Sequence, residues 1–178
     1  MKLRELARDE HTLVMRAFSR WGVYEYFENK SIMIATTEAS SSGPNKICLV
    51  SGALKHAISK IEPEYGGLVI AELQKKGGMT PTIAGADIFA RHAKQNQYYV
   101  TLNDAASQLV LYGRDVMGDS ITIASGQLDE NQLVIMLNEA QEAIGIGRTR
   151  FAGKSLLQKG RITITTIADA GHYLRDEG

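Results

Sequence analysis

The chain has a single cysteine, Cys48, so no internal disulfide and no two-cysteine zinc motif can form, and a reducing compartment is expected. Neither charge sign is in surplus. Twenty Lys and Arg face twenty Asp and Glu, so overall basicity does not announce a nucleic-acid partner. Long apolar runs are missing too. None approaches the roughly 18 residues that a bilayer-crossing helix needs. The first residues, MKLRELARDE, mix both charge signs and lack the apolar core of a secretory signal. With only three prolines and 44% apolar residues, the composition excludes a disordered or collagen-like chain. A soluble cytoplasmic protein is expected, with one large domain or two small ones.

What is present is an uneven spread of charge. Residues 1–95 carry 13 basic and 10 acidic residues; residues 96–178 carry 7 and 10. The second half is therefore acidic overall. Yet between Ala143 and Ala168 five basic residues occur with no acid: Arg148, Arg150, Lys154, Lys159 and Arg161. A local patch sets an electrostatic footprint, whatever the total.

Leu3, Leu6, Ala7, Leu13, Val14, Ala17 and Phe18 recur at helical spacing and predict an amphipathic helix over about residues 2–19. Arg4, Arg8, Arg16 and Arg20 lie on it with Glu5, Asp9 and Glu10 interspersed, the pattern of a solvated face. Trp21–Phe27 reads as extended. SIMIATT (31–37) and KICLVS (46–51) read as strands around the loop EASSSGPN. A short helix is expected over Ala53–Ile61. Two strands, Gly67–Gln74 and Met79–Ile83, are expected to be joined at Lys75-Lys76-Gly77-Gly78. Gly85–Lys94 reads as a helix, and the polar Lys94–Gln97 marks a boundary.

Beyond it the texture changes to short strands and tight turns. Strands are expected at Tyr98–Leu102, Ile121–Ile123, Gln132–Leu137, Ala143–Arg148 and Arg161–Ile167. Asn103-Asp104 is expected to cap a short helix reaching about Leu109, and Ala168–Arg175 to form a closing helix with Asp169 as its cap. Such spacing fits a small barrel.

Several of these segments carry a resemblance. Leu111-Tyr112-Gly113-Arg114-Asp115-Val116 resembles the segment that follows the first helix of a PUA domain. Ala143-Ile144-Gly145-Ile146-Gly147 is similar to that fold's strand with closely spaced glycines. Gly160–Ile164 followed by Ala168-Asp169-Ala170-Gly171-His172-Tyr173-Leu174-Arg175 is similar to its final strand and ending. With an α/β domain of this size in front, the chain resembles archaeal members of the nuclear import protein seven family, which are large-subunit ribosome-assembly factors. The resemblance implies an α+β chain: an N-terminal mixed α/β domain over 1–95, docking protein partners, then a C-terminal PUA-type pseudo-β-barrel over 96–178. It implies RNA binding without catalysis, and no cofactor. The basic positions that match the family's RNA-binding surface are Arg148, Arg150 and Lys154, with Lys159 and Arg161 behind them.

The residues themselves favour the same chemistry. Arg148 and Arg150 alternate and so share a sheet face if the strand continues. A guanidinium grips phosphate bidentately and stacks on bases. Gly145 and Gly147 would admit close approach of a ligand. Phe151 is read as core, with base stacking as the alternative. Gly147–Ser155 resembles a phosphate-binding P-loop but has five residues between its glycines, where the motif has four, and Gly160 cuts off any following helix. Cys48, between Ile47 and Leu49, reads as a buried strand residue. His11, His56, His92 and His172 lack metal-ligand spacing. Two other classes stay open: an RNA-modifying enzyme targeted by its PUA domain, and a protein–protein adaptor.

Overall fold

The computed structural model describes residues 2–36, 44–58, 66–74, 78–94, 98–124 and 128–175. The chain divides into two compact units, Met1–Gly85 and Ala86–Gly178.

The first unit runs β1 (Lys2–Glu5), α1 (Arg8–Arg20), α2 (Tyr24–Phe27), β2 (Ser31–Thr36), β3 (Asn45–Val50), α3 (Gly52–Ile58), β4 (Leu68–Leu73) and β5 (Met79–Pro81). Its five strands form an antiparallel sheet in chain order. Met33, Ala35, Cys48 and Val50 make a buried cluster with Leu3, Leu54 and Val69 against it. Cys48 is fully buried there, and burial pushes its thiol above the ordinary value. The division between units falls inside α4 (Ile83–His92). That helix starts against β4: the Gly85 N–H donates to Thr82 Oγ1, 3.1 Å, and the Thr82 hydroxyl donates to the Val69 carbonyl, 2.7 Å.

Two expectations fail in this unit. Lys2–Glu5 is a strand, because it pairs with β2 from Lys2↔Thr36 to Glu5↔Met33 and places Leu3 on the sheet's core cluster. The helix begins only at Arg8. Glu10 fixes that start: its carboxylate accepts from the Ala7 N–H at 2.8 Å and from Arg4 through two bonds of 2.7 Å. Trp21–Phe27 is not extended either. It closes into α2, and Phe27 stacks on Phe18 with ring centroids 4.3 Å apart. The 75–77 turn and residues 37–43 and 59–61 of the expected loop and helix lie outside the described residues.

Hydrogen bonding from Arg4 holds the Glu10 carboxyl below its ordinary 4.5. A carboxyl depressed on folding stabilises the fold above its unfolded value, and that stability fades as pH falls through its folded value. Glu10→Ala is therefore expected to lower stability by about 1–2 kcal/mol at pH 7, through the lost cap and ion pair. The deficit should shrink below about pH 4, where the native chain loses the same interaction. Urea unfolding at both pH values checks this.

The second unit runs β6 (Tyr99–Leu102), α5 (Asp104–Val110), β7 (Val116–Met117), β8 (Ile121–Ala124), β9 (Leu133–Leu137), β10 (Ala143–Thr149), β11 (Ile162–Asp169) and α6 (His172–Arg175). Strand order is β7-β11-β10-β9-β6-β8, antiparallel except for β6 beside β9, and the sheet forms a nearly closed barrel. Val100, Leu102, Val110, Leu128, Val134, Met136, Leu156 and Ile164 are among the side chains that fill it. Asn103 caps α5, its Oδ1 accepting from the Ala106 N–H at 2.9 Å. The closing helix is shorter than the sequence pattern predicts. Ala168 and Asp169 belong to β11, paired with Ile146 and Gly145, and only His172–Arg175 is helical.

Candidate functional site

The basic group lies where β10 ends and the chain returns as β11. All five side chains, Arg148, Arg150, Lys154, Lys159 and Arg161, are exposed. Thr149 between the first two is buried. Its hydroxyl donates to the Asp129 carbonyl at 2.5 Å and accepts from the Gln132 N–H at 2.9 Å. The alternation therefore puts Arg148 and Arg150 on one outer face.

From that face they reach in opposite directions. Arg148 Nη1 donates to the Asn131 carbonyl, 2.9 Å, in the turn before β9. Arg150 reaches across β11, with Nε donating to Thr165 Oγ1 at 2.7 Å and Nη2 to Asp115 Oδ2 at 3.0 Å. Asp115 is itself fixed by the Thr166 N–H on its other oxygen, 2.9 Å. Arg150 thus carries a compensating acid 35 residues back along the chain. The acid-free stretch of sequence is not an acid-free surface.

Lys154 stands on the 3-10 turn Gly153–Leu157 and Lys159 on the turn before β11. Arg161 lies over the Phe151 ring, 4.6 Å from its centroid, and donates to Gln158 Oε1 at 2.9 Å. Phe151 is half-buried beneath that guanidinium, so it is not a core residue.

The structure adds residues that the sequence did not single out. Arg114, exposed in the loop between α5 and β7, lies beside Gly113, Asp115, Met117 and Ile162 around an open depression of about 460 Å³. Met117 and Ile162 face each other across the β7–β11 pair and are about 40% exposed. Gly118 N–H donates to the Arg161 carbonyl, 2.9 Å, joining this depression to the Phe151–Arg161 pair. Among the described residues, Arg114, Arg148, Lys154, Lys159 and Arg161 have no ion-pair partner. The signal for Arg114 was present in Tyr112-Gly113-Arg114, where Gly113 takes a positive φ of 73°.

Two sequence readings need correction. Gly145 and Gly147 do not open the strand to a ligand. Both are buried, and a Cβ on Gly145 would lie 2.8 Å from Met136 Cε, while one on Gly147 would overlap Ile164. They are glycine because the core on both neighbouring strands fills the space. Asp169 does not cap a helix. It is only 6% exposed, and its Oδ2 accepts from Arg175 Nη2 at 2.9 Å. Arg175 also donates to the Leu111 carbonyl, so the chain's ending fastens the loop that carries Arg114 and Asp115.

Comparison with known proteins agrees with this architecture. Residues 3–83 match the NIP7/UPF0113 pre-PUA domain and residues 98–178 the UPF0113 PUA domain. A UPF0113 protein of Archaeoglobus fulgidus is 25% identical over 179 residues, covering 99% of this chain and 97% of that one. Two solved archaeal structures share the fold over 98% of both chains with TM-scores of 0.68. One is a hypothetical protein of Pyrococcus horikoshii, 14% identical, and the other a conserved PUA domain protein of Thermoplasma acidophilum, 12% identical. The chain belongs to the NIP7/UPF0113 family, a pre-PUA unit followed by a PUA domain.

Proposed function

We propose that the PUA domain binds RNA, without catalysis, through the face formed by Arg114, Arg148, Lys154, Lys159 and Arg161, and that the protein serves large-subunit ribosome assembly in the cytoplasm. The observation that carries the reading is a set of exposed, unpaired cations next to an arginine–aromatic stack and an open depression lined in part by Met117 and Ile162. Cations grip phosphates, and exposed apolar and aromatic surface accepts unstacked bases. Phosphate contacts set position and not sequence, so a broad RNA preference is expected. The role in assembly, with protein partners docking on the first unit, rests on family membership.

Filter binding of a single-stranded RNA across a salt series tests the RNA reading. For single strands each phosphate contact contributes about 0.7 to the slope of log affinity against log salt. Arg148→Ala with Lys154→Ala is expected to lower the slope by about 1.4. Arg150→Ala should have a smaller effect than Arg148→Ala, because Asp115 already compensates Arg150. An unchanged slope in the double variant removes the proposed face. Co-sedimentation with large-subunit precursors tests the assembly role. The same double variant is expected to leave the precursor fraction.

A further inference from the structure

The first unit carries a cationic surface of its own on α1. In the sequence its arginines stand among acids, but the fold sorts those acids out. Glu10 is taken by Arg4 through two 2.7 Å bonds, and Glu5 by Lys55 at 2.9 Å. Arg8, Arg16 and Arg20 are exposed and have no ion-pair partner among the described residues. At 3.6 residues per turn these three fall within about 120° of the helix circumference and span about 18 Å of its length. Thr12 and Ser19 lie between them, both exposed. Asp9 is the one acid on this face, and it stands in the first turn, where the helix dipole favours a carboxylate.

Arg8 is placed against its own helix. It opens α1, where the dipole disfavours a cation, so its charge costs stability there. The face also has no large exposed apolar side chain: Val14 and Phe18 point inward and are fully buried. Protein interfaces are built on apolar or aromatic anchors with charges at the rim. A face of arginines, small hydroxyls and no anchor suits a phosphate backbone instead, which planar guanidiniums grip bidentately.

We propose that Arg8, Arg16 and Arg20 form a second RNA-binding surface, contacting the phosphate backbone and separate from the PUA face. The two surfaces together make the protein a bipartite RNA binder. The α1 surface does not rest on the PUA reading; its pairing with the PUA face does.

The test uses the full chain and a single-stranded RNA oligonucleotide in a salt series, with poly-glutamate as a second probe. Arg8→Ala/Arg16→Ala/Arg20→Ala is expected to lower the salt slope by about 2, at roughly 0.7 per contact, and to weaken binding tenfold or more at low salt. The corresponding triple Lys variant should keep the slope. Tm of the Ala variant should stay within about 2 °C of the parent, since Arg8 in the first turn opposes the dipole and Arg20 in the last turn complements it, and the two losses offset. Arg16→Ala alone should lower the slope by about 0.7. The same decrement in an Arg148→Ala/Lys154→Ala background shows that the surface acts separately, whatever becomes of the PUA face. An RNA slope unchanged in the triple Ala variant overturns the proposal. Poly-glutamate binding that is lost in that variant while RNA binding persists also overturns it, in favour of an acidic protein partner.

Discussion

Gly171→Ala is expected to destabilise the second unit by about 3 kcal/mol or more, an unusually large loss for one methyl group. A Cβ at this position would overlap the Leu111 carbonyl oxygen, a backbone atom that cannot swing aside. The same oxygen accepts from Arg175, so displacing it also breaks the fastening of the 111–115 loop. The functional consequence should follow the structural one. Arg114 and Asp115 sit on that loop, and Asp115 holds Arg150 in place. Urea unfolding measures the first effect. RNA binding at a temperature where the variant is still folded measures the second, and a weakened affinity is expected. An unfolding free energy within about 0.5 kcal/mol of the parent would show that the segment around Gly171 yields without cost.

Arg175→Met is expected to cost about 2–3 kcal/mol. Removing one partner of a buried charge pair leaves the other uncompensated, and Asp169 is almost entirely buried. The estimate sits below the range for fully buried pairs because the Arg175 side chain is 36% exposed. Met keeps much of the length and apolar surface of Arg, so packing loss is small. Adding Asp169→Asn to Arg175→Met should recover part of the loss, since the neutral amide needs no counter-charge. A double-mutant cycle from the two single variants therefore shows coupling well above 0.5 kcal/mol. Additive losses would contradict the pair. The most distinctive part of the sequence, the run from Ala168 to Arg175, is on this account a structural fastening of the loop that carries Arg114 and Asp115.

Local pattern carried much of the fold. SIMIAT and KICLV became β2 and β3 with little error, because short apolar runs bounded by polar loop residues need no distant partner to declare themselves. Asn103 declared the start of α5, because a cap is a contact three residues long. The misreadings arose where pairing across the chain overrode local spacing. Leu3 fits a helical period with Leu6 and Ala7, but β2 claims it through Ala35, 32 residues away. Ala168 and Asp169 read as a helix start until Ile146 and Gly145 pair with them.

The site shows the same division. The cations at 148, 150, 154, 159 and 161 could be read directly, because charge is a property of each residue. What each cation does could not. Arg150 is tied to Asp115, Arg161 to Phe151, and Arg114 joins the group only because β7 lies against β11. Gly145 and Gly147 looked like openings for a ligand, and Met136 and Ile164 fill them. Those two side chains come from neighbouring strands, so spacing within β10 had no way to announce them.

Photo-crosslinking of a 4-thiouridine-labelled single-stranded RNA to the full chain, followed by peptide mapping, tests the central claim most directly. Crosslinks within the PUA domain are expected to fall on peptides carrying 112–117 and 148–162, with Phe151 the leading aromatic acceptor. PUA-domain crosslinks confined instead to β6, three places from β11 in the strand order, would contradict it.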